Sequence, residues 1–240
     1  MNKKYLPALL PMRSVIFLLI FVVGAAIVGK NVEDIGNWWS VVATAVNLVT
    51  ILILIPAAKG SGMSFRKLIS YEKSGRSAKK VALTALIFAA VGMGCMYGAG
   101  FICYGSMMPA VSLDIIAPIS APLAVINLIL LPATVSFAED GLYLGCGAGQ
   151  IGNKYAGVII PAFFYALQHC FIPTFFDVKY MLYRFLCFLP LTVIFCIYFR
   201  KKKDPVPIMI GHAVLDLATG VMIFMTSVIP GMYDKMQSMM

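Results

Sequence analysis

The sequence predicts an all-α polytopic membrane protein, a bundle of about seven transmembrane helices with a cytoplasmic N-terminus. Of its 240 residues, 61% are hydrophobic and only 12% are charged, too little polar material to cover a soluble domain of this length. Several apolar runs reach the roughly 20 residues that cross a bilayer as a helix. The runs are continuously apolar rather than alternating, which excludes a membrane β-barrel.

The apolar runs divide one transmembrane helical domain, residues 1–240, into predicted spans. The first run follows Lys3, Lys4 and Arg13 and is long for a signal-peptide core, so we interpret it as an uncleaved first helix. Residues 105–132 contain four prolines, and a re-entrant or broken helix is expected there. The predicted spans are residues 10–29, 38–58, 81–104, 121–148, 155–175, 180–199 and 206–229.

The basic residues between the spans predict the orientation. The loop at 59–80 carries seven Lys or Arg against the single acid Glu72, and residues 200–203 read RKKK. Both loops are predicted to be cytoplasmic because short positive loops stay on that side. Four spans between them satisfy the required even number of crossings. The basic residues behind the net charge of +9 therefore set the orientation of the chain in the membrane, and nucleic acid is not expected as a partner.

Ionisable residues inside the spans are the candidates for function. His169 and His212, the only histidines, lie in apolar spans, and Asp216 shares a helix face with His212 four residues earlier. Glu139 and Asp140 stand side by side in another span. A charge at the membrane centre costs roughly 2.5–3.5 kcal/mol even on lenient scales. We therefore expect these groups to lie against one another or around a wet cavity.

Three kinds of chemistry suit this set of side chains. A carboxylate beside a neutral imidazole can deprotonate a water for peptide hydrolysis, while a second imidazole stabilises the oxyanion. The same groups are suitable zinc ligands, and the metal would then lower the pKa of the water. They also suit a proton relay in a transporter. A structural role stays open for single residues, since Asp216 can simply orient His212.

Three short motifs occur in a fixed order, each on its own predicted helix: Glu139–Leu144 reads EDGLYL, Tyr165–His169 reads YALQH and His212–Asp216 reads HAVLD. They resemble the CPBP family of intramembrane proteases, the CAAX-protease and Abi group. That family is marked by the motifs EExxxR, FxxxH and HxxxN or HxxxD. The resemblance covers residues 133–220, within a motif-bearing core at 121–229.

The resemblance implies an endopeptidase that hydrolyses a peptide bond in a membrane-associated peptide or protein. It implies two catalytic pairs and two supporting residues: Glu139 with His169 for the hydrolytic water, His212 with Asp216 for the oxyanion, and Asp140 and Tyr165 in support. The family admits a metal-free glutamate mechanism or a metal mechanism. In the second case Glu139, His169 and His212 would hold zinc. The bacterial cytoplasmic membrane is the expected location.

Three positions depart from the family motifs. Asp140 replaces the second Glu, Tyr165 replaces Phe, and Leu144 stands where the Arg is expected. An arginine four residues after Asp140 would share its helix face and could neutralise it. Without it, Asp140 is expected to be protonated or paired with another group. Leu144 thus supports an alternative, a catalytically degenerate binding or bacteriocin-immunity protein; a proton-coupled transporter is a further alternative.

Overall fold

The computed structural model describes residues 3–71, 75–173 and 175–239, and these residues form helices joined by short loops, with no strand. Residues 1–2, 72–74, 174 and 240 lie outside the described residues, and with them Glu72 of the basic loop. The all-α prediction is confirmed. The α-helices are α1 Met12–Val28, α2 Trp39–Gly60, α3 Phe65–Leu68, α4 Ala78–Tyr104, α5 Ala121–Val135, α6 Ala156–Leu167, α7 Val178–Lys202, α8 Val206–Val228 and α9 Met232–Gln237.

Helices of other kinds extend several of these elements. A π-helical segment, Ser136–Ala148, continues α5 without a break. The 3₁₀-helices are Lys3–Leu9, Glu33–Trp38, Ala110–Ile116 and Gln168–Phe171.

Six helical stretches in the described residues are long and apolar enough to cross a membrane: Lys3–Val28, Glu33–Gly60, Ala78–Tyr104, Ala121–Ala148, Val178–Lys202 and Val206–Val228. The protein is therefore a multi-pass membrane protein. The span predicted at 155–175 is a shorter apolar helix, Ala156–Phe171, which ends just before Pro173. The count of seven spans and the cytoplasmic N-terminus remain predictions.

The proline-rich segment 105–132 consists of a loop that contains the 3₁₀-helix Ala110–Ile116, followed by the first residues of α5; the re-entrant or broken helix stays a prediction. The start of α2 and the end of α8 hold this loop. The Trp39 indole donates a hydrogen bond to the carbonyl of Ile115 (3.0 Å), and the Thr226 hydroxyl donates to that of Ile116 (2.8 Å). Side chains thus satisfy backbone groups that the prolines leave outside regular helix.

The π-helical segment runs through the centre of the bundle. Helices α2, α5, α6, α7 and α8 and the 3₁₀-helix Lys3–Leu9 all pack against it. Every residue from Ala138 to Ala148 is buried. At its end, Arg200 of α7 donates hydrogen bonds to the carbonyls of Ala148 (2.8 Å) and Ile151 (2.7 Å). Side chains on this segment therefore face protein on all sides.

Candidate active site

Glu139 and Asp140 both point into the bundle, although they are adjacent in sequence. Their exposed fractions are 4% and 1%. On an isolated helix, neighbouring side chains diverge by about 100°, which predicts that only one faces the interior. Both do so here because helices surround the π-helical segment, a type of helix that is frequent at functional sites.

The Glu139 carboxylate is held by two donors. Arg13 Nη2 donates to its Oε1 at 2.8 Å, and Gln168 Nε2 donates to its Oε2 at 2.6 Å. Arg13 also donates from Nε to Gln168 Oε1 (2.8 Å) and from Nη1 to Thr50 Oγ1 (3.1 Å). A buried ion pair offsets its desolvation only when further hydrogen bonds complete it, as these do.

Arg13 is the main correction to the sequence interpretation, which placed it with Lys3 and Lys4 on the flank of the first span. It lies inside α1, and only 2% of it is exposed. Helical residues begin at Lys3, so Arg13 falls within an apolar helical stretch that ends at Val28. A charge ten residues inside an apolar stretch is the sequence feature that indicates a buried role for Arg13. No comparable feature marks its partners Thr50 and Gln168.

Asp140 has a partner in the other motifs. The Tyr165 hydroxyl donates to its Oδ1 at 2.8 Å and lies 2.9 Å from His212 Nδ1. A phenylalanine, the family residue at position 165, has no hydroxyl to offer. Leu144, which replaces the motif arginine, is packed in the apolar core with 1% exposed. The tyrosine therefore supplies Asp140 with a hydrogen bond that Leu144 cannot.

The hydrogen bonds assign a proton to Nδ1 of both histidines. The Tyr165 hydroxyl gives its hydrogen to Asp140, so it accepts one from His212 Nδ1. His169 Nδ1 is 2.9 Å from the backbone carbonyl of Tyr165, which can only accept. The Nε2 atom of each imidazole then lies 3.9 Å from Glu139 Oε2. His212 Nε2 is also 3.4 Å from Asp216 Oδ2.

A cavity of about 140 Å³ joins these groups, far above the ~10–15 Å³ that one water occupies. Glu139, His169, His212 and Asp216, the four predicted catalytic residues, all line it. Its other walls are mainly apolar. The lining residue Met93 of α4 is 40% exposed, so the cavity reaches the outer surface of the bundle. The residues from three sequence motifs thus meet at one solvent-sized space.

The arrangement does not fit the predicted zinc. No group of three or more His, Cys, Asp and Glu among the described residues has metal-site spacing. Zinc ligands at about 2.0–2.2 Å from the metal lie roughly 3.4 Å apart, whereas each Nε2–Oε2 distance is 3.9 Å. Both oxygens of Glu139 already accept hydrogen bonds, one of them from the cationic Arg13.

The structure is thus a helical membrane protein with carboxylate and imidazole groups around an internal cavity. Residues 121–218 match the family described as type II CAAX prenyl endopeptidase Rce1-like. This range contains all three motifs. No curated protein and no solved structure matches the chain. This match supports the CPBP, or CAAX protease, family that the three motifs predicted.

Proposed function

We propose that the protein is an endopeptidase that hydrolyses a peptide bond in a membrane-associated peptide or protein, with a water activated by Glu139 and His169. The observation that carries the proposal is the position of Glu139 Oε2, 3.9 Å from Nε2 of both His169 and His212. A water between Glu139 Oε2 and His169 Nε2 fits the first of these distances at ordinary hydrogen-bond length. The family is one of proteases, which supports hydrolysis as the reaction.

The water is oriented by two acceptors. Glu139 Oε2 and the lone pair of His169 Nε2 each accept one of its hydrogens, which leaves an oxygen lone pair for the scissile carbonyl carbon. As the new C–O bond forms, Glu139 takes the proton and the carbonyl π electrons move to oxygen. Glu139 then returns the proton to the amide nitrogen as the C–N bond breaks, giving a carboxylic acid and an amine.

His212 is placed to stabilise the oxyanion. Its Nδ1 is anchored by Tyr165, and the carboxylates of Asp140 and Asp216 lie 3.6 Å from Nδ1 and 3.4 Å from Nε2. When both ring nitrogens carry a proton, Nε2–H is a charged donor on the cavity wall. Such a fixed donor acts on charge that develops in the transition state.

The substrate is proposed to be a peptide precursor, a leader sequence or a bacteriocin-related peptide at the bacterial cytoplasmic membrane. The apolar outer surface of the bundle favours a partner that already lies in the bilayer. The cavity reaches that surface beside Met93. A membrane-anchored peptide could therefore enter without crossing bulk water.

Purified protein in lipid vesicles tests the proposal with a panel of membrane-anchored peptides. Glu139→Gln and His169→Ala are each expected to lower kcat by about 10²–10⁴-fold, the usual contribution of general acid–base catalysis. Asp234→Asn, an exposed acid on α9, is the matched control and should leave cleavage unchanged. Turnover that survives both site substitutions would exclude this mechanism.

The alternative of a binding or immunity protein rests on Leu144 in place of the motif arginine. The same variants separate the two functions. An immunity protein that keeps full cellular protection with Glu139→Gln uses the fold without the water chemistry. A protease loses its phenotype with that substitution.

A further inference from the structure

Arg184 of α7 is a buried cation that the catalytic scheme does not use. Only 4% of it is exposed, and it lines the same cavity as Glu139 and His169. Its Nε atom is buried without a hydrogen-bond partner in the described residues. No carboxylate of the described chain forms an ion pair with it. Its guanidinium lies over the ring of Phe188, with Cζ 5.1 Å from the ring centroid.

An unpaired guanidinium in an apolar wall is a costly arrangement for a folded protein. Buried charges are ordinarily paired, because the free energy of desolvation otherwise exceeds the stabilisation gained from packing. The Phe188 ring covers one side of the guanidinium by a cation–π contact, and the Nε donor finds no hydrogen-bond partner among the described residues. An anion from outside the chain would complete this site.

The distance from Arg184 to the catalytic groups is set by Phe188, which contacts both. The His169 ring stacks on it at a centroid separation of 3.5 Å, and Arg184 Cζ lies 5.1 Å from the same centroid. Arg184 Cζ is therefore within about 9 Å of the His169 ring. An extended peptide advances about 3.3–3.6 Å per residue, so at most two or three residues fit within this distance.

We propose that Arg184 binds a substrate carboxylate two or three residues from the scissile bond; this inference rests on the proposed function. The planar guanidinium matches a carboxylate with two parallel hydrogen bonds. Glu139 and Asp216, acids that line the same cavity, repel a second carboxylate. The pairing thus determines both which peptides bind and in which direction they lie.

The carboxylate has two possible sources, a peptide C-terminus or an Asp or Glu side chain. Four membrane-anchored peptides of one sequence separate them: C-terminal acid or amide, combined with Glu or Gln at the second or third position from the cleaved bond. We expect wild-type kcat/KM to be at least tenfold higher for one carboxylate form than for its neutral counterpart, since the neutral peptide leaves Arg184 unpaired.

Two substitutions assign that preference to Arg184. Arg184→Gln should abolish it, so that the acid and neutral peptides are cleaved with the same kcat/KM, and Arg184→Lys should keep part of it. Lys179→Gln removes an exposed charge from the same helix and should keep the full preference. An acid preference that persists in Arg184→Gln, or none in the wild type, overturns the assignment.

A binding measurement keeps this inference separable from the proposed reaction. The four peptides are titrated against Glu139→Gln and against the double variant with Arg184→Gln, so affinity is obtained whether or not hydrolysis occurs. Carboxylate binding that depends on Arg184, without wild-type cleavage, overturns the protease alone. Equal affinity for acid and neutral peptides overturns the carboxylate site. If vesicles of anionic rather than zwitterionic lipid displace the peptides, the ligand is a lipid phosphate and the peptide assignment is wrong.

Discussion

Arg13 and Arg184 are buried to almost the same degree, at 2% and 4% exposed, yet their surroundings are opposite. The Arg13 guanidinium donates to Glu139, Gln168 and Thr50. Arg184 has no hydrogen-bonded partner at Nε in the described chain and faces the cavity. The Arg13 guanidinium is hydrogen-bonded within the folded site, whereas the Nε donor of Arg184, beside a cavity, is available to bind a ligand. The difference is measurable, because removing each should change different quantities.

The largest effect is expected from Arg13→Met. It leaves the Glu139 carboxylate buried without its counter-charge, a situation that typically costs about 3–5 kcal/mol. The midpoint of thermal unfolding in detergent should fall, and kcat should fall at least a hundredfold. Lys30→Gln, at an exposed position two residues after the end of the same helix, is the control.

A double-mutant cycle sharpens this result. Combining Arg13→Met with Glu139→Gln should recover most of the lost stability, because the two residues form one pair. Additive losses in the cycle would show that Arg13 acts on the fold independently of Glu139.

A smaller effect is expected from Tyr165→Phe, which restores the family's residue but removes the hydroxyl between Asp140 and His212. Leaving a buried acceptor unpaired costs about 1–3 kcal/mol, and kcat should fall tenfold or more. The pH profile of kcat should shift as well, since His212 loses its anchor. An unchanged profile would assign Tyr165 to packing alone.

For stability, Arg184→Met should have an effect opposite to that of Arg13→Met. Replacing an unpaired buried cation by an apolar side chain of similar length removes a desolvation cost, so the unfolding midpoint should stay constant or rise by a few degrees. Thermal unfolding of the two variants side by side makes the test. A large loss of stability would show that Arg184 has a structural partner and that the two arginines are alike.

The smallest effect is expected from metal chelation. Arg13 occupies the counter-charge position beside Glu139, so kcat should change less than twofold after dialysis against a chelator. Metal analysis of the same sample gives an independent readout. A loss of cleavage that zinc restores would place a metal where the present donor spacing does not favour one.

Much of the site could be predicted from the sequence. Glu139, His169, His212 and Asp216 were chosen because ionisable groups are rare in apolar spans and must be sheltered. The structure places all four on one cavity, and their catalytic roles remain predictions. In the sequence, Tyr165 differs from the phenylalanine of the FxxxH motif. Its hydrogen bond to Asp140 was not predictable from that difference.

The sequence by itself determined that this is a multi-pass helical membrane protein and which residues are chemically out of place in it, because hydropathy and motif spacing are local properties of a chain. Only the tertiary structure decided that Arg13, 126 residues before Glu139, is its counter-charge, and that Arg184 Nε has no hydrogen-bond partner among the described residues. The physical reason is helix packing. Which faces of α1 and α7 meet the π-helical segment depends on the fit of whole helices, and no short stretch of sequence contains that information.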